Sequence, residues 1–199
     1  MAISRFKTSS VAQGLPKYQK FWDGVSQLPG AYESIATVTV GSGGSSSIDF
    51  TSIPSTYKHL QLKAFARTNA ANTESYLQLQ YNGDTGTNYY GQHWIAGNGS
   101  SATSNADGAA SVLYVERITA ANTTASIFGS VIIDILDYAN NSKYKTNRNL
   151  GAYDGNGAGV LKIGSGLWLS TSTISSIKIT PALGSFVQYS SFALYGIKG

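Results

Sequence analysis

From Ser34 onward the chain alternates apolar or β-branched residues with polar ones, in short runs broken by glycine, serine and asparagine. Ser34-Ile35-Ala36-Thr37-Val38-Thr39-Val40 reads as a strand, and Gly41 to Ser45 forces a turn or loop. Ile48 to Phe50 follows, ended by Ile53-Pro54. Leu60, Leu62, Ala64 and Ala66 alternate with His59, Gln61, Lys63 and Arg67, as expected for a half-buried strand with one wet face. Leu77 and Leu79 alternate with Gln78 and Gln80 in the same way. Asn82-Gly83-Asp84-Thr85-Gly86 is a turn cluster, expected to join two antiparallel strands. Residues 97–110, rich in Gly, Ser, Ala and Asn, read as one long loop.

The pattern resumes over Val112–Ile118 and Ser126–Tyr138, the latter the most apolar segment and expected at the centre of a sheet. Tyr144–Tyr153, Val160–Leu169, Thr173–Thr180 and Phe186–Ile197 complete the set. About ten short strands without a convincing helix predict an all-β protein, an antiparallel β-sandwich of jelly-roll type.

Residues 1–30 break this pattern. Val11, Leu15, Phe21, Trp22 and Leu28 follow neither period, and Pro16 and Pro29 interrupt them. The segment cannot bury these groups by itself. A frayed terminus is one reading, but two adjacent large aromatics favour an extended N-terminal arm that orders on a partner, with the body spanning 31–199. Leu15, Phe21 and Trp22 are its candidate anchors, and Arg5, Lys7, Lys17 and Lys20 its steering charges.

Charge sharpens that division. The net charge is +4, yet residues 1–30 carry four bases against Asp23 alone, whereas the rest carries ten bases and nine acids. A nearly neutral body offers no concentrated positive field for phosphates, so nucleic acid is not an expected partner. Only 12% of the residues are charged, so hydroxyls and amides supply the solubility, as on a β-protein surface. Cysteine is absent, which excludes disulfides and thiolate metal sites. No apolar run is long enough to span a membrane as a helix, and Met1–Lys7 leads into no secretion signal.

Candidate chemistry is sparse. The histidines are His59, on the polar face of a strand, and His93. No nucleophile-elbow, zinc-protease or phosphate-loop spacing is present. Asp134 and Asp137 are separated by an odd number on a strand, which aims them at opposite faces and argues against a glycosidase pair. Asp154–Gly159 resembles the start of a calcium loop but lacks its closing acid, so a glycine-rich hairpin connection is the better reading. No metal or other cofactor is expected. Tyr89-Tyr90-Gly91-Gln92-His93-Trp94 gathers four rings in six residues, and Tyr89, Tyr90, His93 and Trp94 are candidates for stacking on a sugar. Strand alternation would instead turn half of them inward.

The runs Tyr32–Gly41, Ile48–Pro54, Tyr57–Leu62, Ile132–Asn140 and Gln188–Gly199, with the opening Ser9–Lys17, resemble small virion proteins of tailed bacteriophages, especially marine and cyanobacterial ones. The resemblance spans nearly the whole chain. It implies a structural component of the virion, made in the host cytoplasm and docked on other tail or capsid proteins, and supplies no catalytic residues. The leading expectation is a non-enzymatic, fibre-type or tail-associated sandwich, a homotrimer that contacts host surface glycans without membrane insertion. A head decoration protein is the first alternative, and a carbohydrate-binding module or depolymerase the second.

Overall fold

A computed structural model describes residues 31–97, 101–106, 108–155 and 159–199. Twelve strands account for the regular structure of these residues, and none of it is helical. They are β1 (Tyr32–Thr39), β2 (Ile48–Phe50), β3 (His59–Ala66), β4 (Glu74–Tyr81), β5 (Tyr89–Gly97), β6 (Ala102–Ala106), β7 (Leu113–Thr119), β8 (Gly129–Leu136), β9 (Lys145–Tyr153), β10 (Val160–Trp168), β11 (Ile177–Pro181) and β12 (Ser191–Ile197). They form an eight-stranded sheet, β1-β12-β3-β8-β9-β10-β5-β6, and a four-stranded sheet, β2-β11-β4-β7. All ladders in both sheets are antiparallel. The chain is an all-β sandwich.

Alternation builds one half of its interior. Leu60, Leu62, Ala64 and Ala66 of β3 point inward beside Val131, Ile133 and Ile135 of β8, with Leu62 directly opposite Ile133. They meet Leu77 and Leu79 of β4 and Ile177 and Ile179 of β11 in one apolar cluster. Each leucine, isoleucine or valine among them contributes roughly 1.5–3 kcal/mol by leaving water. As expected, the apolar β8 lies centrally, fourth of eight strands.

Two buried cations fix the loops at the ends. The Arg67 guanidinium donates to four backbone carbonyls, those of Thr124 and Ile127 at 2.9 Å, Thr123 at 2.9 Å and Ala121 at 3.2 Å. Lys145 Nζ donates to the carbonyls of Asn140, Lys143 and Thr171 at 2.6, 2.8 and 3.0 Å. Desolvation holds the Lys145 ammonium below the usual lysine range, and carbonyl dipoles take the place of water.

Two expectations are corrected. Asn82–Gly86 does turn, with Asn82 and Gly83 both at positive φ, but it joins no paired strands. β4 pairs with β11 and β7, so the chain here crosses from the small sheet to the wide one. The reason lies in Asn82, whose side chain accepts from the Ser175 and Ser176 N–H groups and donates to Thr173 O, tying the turn to the approach of β11. Residues 97–110 are not one loop either: β6 forms within them and pairs with β5 at the edge of the wide sheet. β9 and β10 pair from Tyr153 opposite Val160, and of the segment Asp154–Gly159 between them residues 156–158 lie outside the described residues. The arm residues Arg5, Lys7, Leu15, Lys17, Lys20, Phe21 and Trp22 lie outside the described residues.

Candidate functional site

In β9 and β10 the usual arrangement of apolar and polar faces is reversed. Lys145, Asn147 and Asn149 of β9 and Lys162 of β10 are buried, while Leu150, Leu161 and Ile163 are exposed. Register enforces this. Asn149 is opposite Ile133, whose side chain lies in the core, so Asn149 must share that face. Leu150 is opposite Ile132 on one side and Ile163 on the other, all facing out.

The outcome is an aliphatic row on the outside of the wide sheet. Ile132, Leu150, Ile163 and Ile95 are successive cross-strand partners on β8, β9, β10 and β5, exposed by 36%, 44%, 57% and 60%. Leu161 extends the patch, and Phe65, stacked on Phe128 at 5.1 Å, lies beyond Ile132 on the same face. Contiguous apolar exposure of this kind is uncommon on monomeric soluble proteins.

A polar row borders it. Asp134 accepts from Gln61 Nε2 at 2.7 Å and from Arg148 Nε at 2.9 Å. Tyr32 donates to Gln61 Oε1 at 2.7 Å and stacks on Tyr195 at 4.6 Å, with Lys63 Nζ 5.2 Å from both rings.

Behind the reversed strands the interior is polar. An irregularity in the β4–β7 ladder between Tyr76 and Gln78 lets consecutive Val115 and Glu116 both point inward. Glu116 accepts from Asn149 Nδ2 at 2.5 Å. Burial pushes its carboxyl up to about 7, against the opposing pull of Lys162 and Asn149. Asn149 Nδ2 and Lys162 Nζ both donate to Val115 O, at 2.9 and 3.2 Å. At the rim, Arg117 pairs with Glu74 at 2.8 Å and donates to Tyr76 Oη at 3.0 Å, and Tyr153 donates to Glu74 at 2.5 Å. Burial, with Glu74 beside it, raises the Tyr153 phenol above its usual range.

The tyrosine-rich segment divides. Tyr89 is 1% exposed, packed with Tyr81 and Trp168, and its hydroxyl accepts from the Tyr81 N–H at 2.8 Å and donates to Asp84 O at 3.1 Å. It is a core residue, which corrects its reading as a ligand-facing ring: strand alternation turned it inward. Tyr90 is exposed, opposite Leu167 on the outer face. The backbones of His93 and Trp94 pair with Ser165 and Gly164, and their side chains lie outside the described residues.

His59 Nδ1 accepts from the Asp137 N–H at 2.9 Å, which ties the start of β3 to the end of β8. Asp134 and Asp137 are held apart, the first by Arg148 and the second by Lys143 at 3.2 Å. Lys143 keeps the Asp137 carboxyl below its usual range. Among the described residues no group of three or more His, Cys, Asp or Glu could hold a metal ion, and no helix is long and apolar enough to cross a membrane.

Sequence reasoning did not single out Glu116, Asn149 and Lys162. The available signal was the segregation in β9 and β10 of Leu and Ile onto one face and Lys, Asn and Gly onto the other. Comparison of the chain with protein-family models, with curated proteins and with solved structures finds no match.

Proposed function

We propose that this chain is a non-enzymatic structural subunit of a tailed-bacteriophage virion, a jelly-roll sandwich that assembles with copies of itself and is docked by an arm of residues 1–30. The jelly-roll assignment is supported by strand order. β1-β12-β3-β8 faces β2-β11-β4-β7, the order generated when two Greek keys interlock, with β9-β10-β5-β6 as an extension of the first sheet. The virion assignment is supported by the sequence resemblance, and a fibre-type, tail-associated position is preferred to head decoration.

The observation that carries the reading is the outward aliphatic row from Ile132 to Ile95. Leucine and isoleucine outside, with lysine and asparagine inside, is a poor arrangement for a lone sandwich. It becomes favourable when a second surface covers the row, and a homotrimer covers it with the chain's own copies.

Quantitative mass spectrometry of purified particles tests the virion assignment. The chain is expected in stoichiometric amounts, from a few to some tens of copies for a tail component or hundreds for a head decoration, and its absence from particles would overturn the reading. A second reading, contact with host surface glycans, is favoured by the exposed ring of Tyr90 on the same face. A glycan array probed with wild type and Tyr90→Ala decides it: binding lost in the variant supports it, and no binding by wild type rejects it.

A further inference from the structure

Three buried side chains that self-assembly does not use meet between β7, β9 and β10. Lys162 Nζ and Asn149 Nδ2 donate to the same carbonyl, Val115 O, so they lie no further apart than those two bonds laid end to end. Asn149 Nδ2 also donates to Glu116 Oε1 at 2.5 Å, and Asn149 Oδ1 accepts from Asn147 Nδ2 at 3.2 Å. Two glycines make the space. A Cβ on Gly151, opposite Lys162, would come within 2.9 Å of Glu116 Oε2. One on Gly164, opposite Asn149, would come within 2.8 Å of Asn149 Nδ2. All three side chains belong to residues at most 3% exposed.

We infer that Lys162 and Asn149 become joined by an intramolecular isopeptide bond, with Glu116 as the group that moves the protons. Glu116 takes a proton from the Lys162 ammonium, and the neutral amine attacks Asn149 Cγ. Charge developing on Oδ1 is met by the Asn147 amide N–H. The Nζ–Cγ bond forms and the Cγ–Nδ2 bond breaks. Both protons given up by Lys162 pass by way of Glu116 to the departing nitrogen, which leaves as ammonium and restores the Glu116 carboxylate. No oxidant or reductant is involved. A carboxyl lifted by burial to about 7 is suited to holding and returning a proton near neutrality. Fixed proximity replaces an encounter in solution, and burial excludes the water that would compete for the carbonyl.

The bond would staple β9 to β10 and give a cysteine-free chain a covalent cross-link that needs no oxidising compartment. The inference stands independently of the virion reading.

Denaturation, trypsin digestion and tandem mass spectrometry test it on the full chain. Trypsin cleaves after Arg148, Lys162 and Lys178, and it does not cleave at an acylated lysine. The expected product runs from Asn149 to Lys178, uncut at Lys162, lighter by one ammonia and branched between Asn149 and Lys162. In Glu116→Gln the same region should appear as two peptides, Asn149–Lys162 and Ile163–Lys178, at their sequence masses. Those two peptides from the wild-type chain would overturn the inference. So would a loss of ammonia with cleavage at Lys162 intact, which marks a succinimide. A cross-link that persists in Glu116→Gln would overturn the role of Glu116. If Glu116→Gln does not fold, the wild-type digest decides alone.

Discussion

Leu150 and Ile163 stand directly opposite each other across β9 and β10 on the outside of the sandwich, while Asn149 and Gly164, the adjacent pair, face in. One residue of register slip would exchange these sets and give a conventional amphipathic hairpin. The slip is prevented on one side by β8, paired with β9 from Ser130 opposite Ala152 to Leu136 opposite Thr146, and on the other by β5. The reversed hairpin is therefore held by its neighbours. It presents apolar surface outward and keeps a Glu–Asn–Lys cluster inside.

Tyr81 and Tyr89 should respond oppositely to loss of a hydroxyl. The Tyr89 hydroxyl accepts from the buried Tyr81 N–H, so Tyr89→Phe leaves that donor unmet and should cost about 1–3 kcal/mol. Tyr81 Oη is buried and finds no hydrogen-bond partner among the described residues, so Tyr81→Phe should be neutral or stabilising by up to about 1 kcal/mol. Urea denaturation of the two variants checks both signs.

Arg67 replaces a covalent clamp on the segment from Ala121 to Ile127. Arg67→Met removes donors from four carbonyls and should destabilise by roughly 2–4 kcal/mol, a loss that hydrophobic packing of the methionine stem recovers only in part. Arg67→Lys should fall between, because an ammonium cannot span the fork. Hydrogen exchange in the variants should speed first in residues around 121–127.

Glu116 makes stability fall with rising pH. Its folded-state carboxyl is raised from the ordinary value of 4.5 to about 7, so the folded chain holds this proton more tightly than the unfolded one. The contribution is full below the unfolded value, declines between about 4.5 and about 7, and amounts to about 3 kcal/mol. Before any bond forms between Lys162 and Asn149, Lys162 from β10 and Arg117 from its own strand oppose the shift, and Asn149 from β9 bonds the charged form. Denaturant titrations across that range should show the decline in wild type and a flatter profile in Glu116→Gln.

How much of this was legible follows from what alternation can convey. In β3 the inward Leu60, Leu62 and Ala64 are apolar and two of the outward residues, Gln61 and Lys63, are polar, so the pattern places the strand and its core face at once. In β9 and β10 alternation gives two faces, but hydropathy names the wrong one as interior, because the decision is made by pairing to β8 and β5. The Asn82-Gly83 turn is visible as chemistry, yet its destination depends on contacts with Thr173–Ser176, far along the chain. β6 could not be read from Ala102–Ala106, which has no apolar pattern and is exposed at every position, since backbone pairing to β5 alone makes it a strand. Glu116 faces inward only through the ladder irregularity at Tyr76–Gln78, which composition does not announce.

The most direct test of the central claim is the solution mass of the chain, by size-exclusion chromatography with light scattering at micromolar concentration. The 21.0 kDa chain should elute as a stable oligomer, with a trimer expected. Leu150→Lys/Ile163→Lys should elute as a folded monomer whose thermal stability as an isolated sandwich is not impaired, because both side chains already face water in the single chain. A wild-type chain that remains monomeric, or an oligomer unaffected by this pair of charges, would contradict the account.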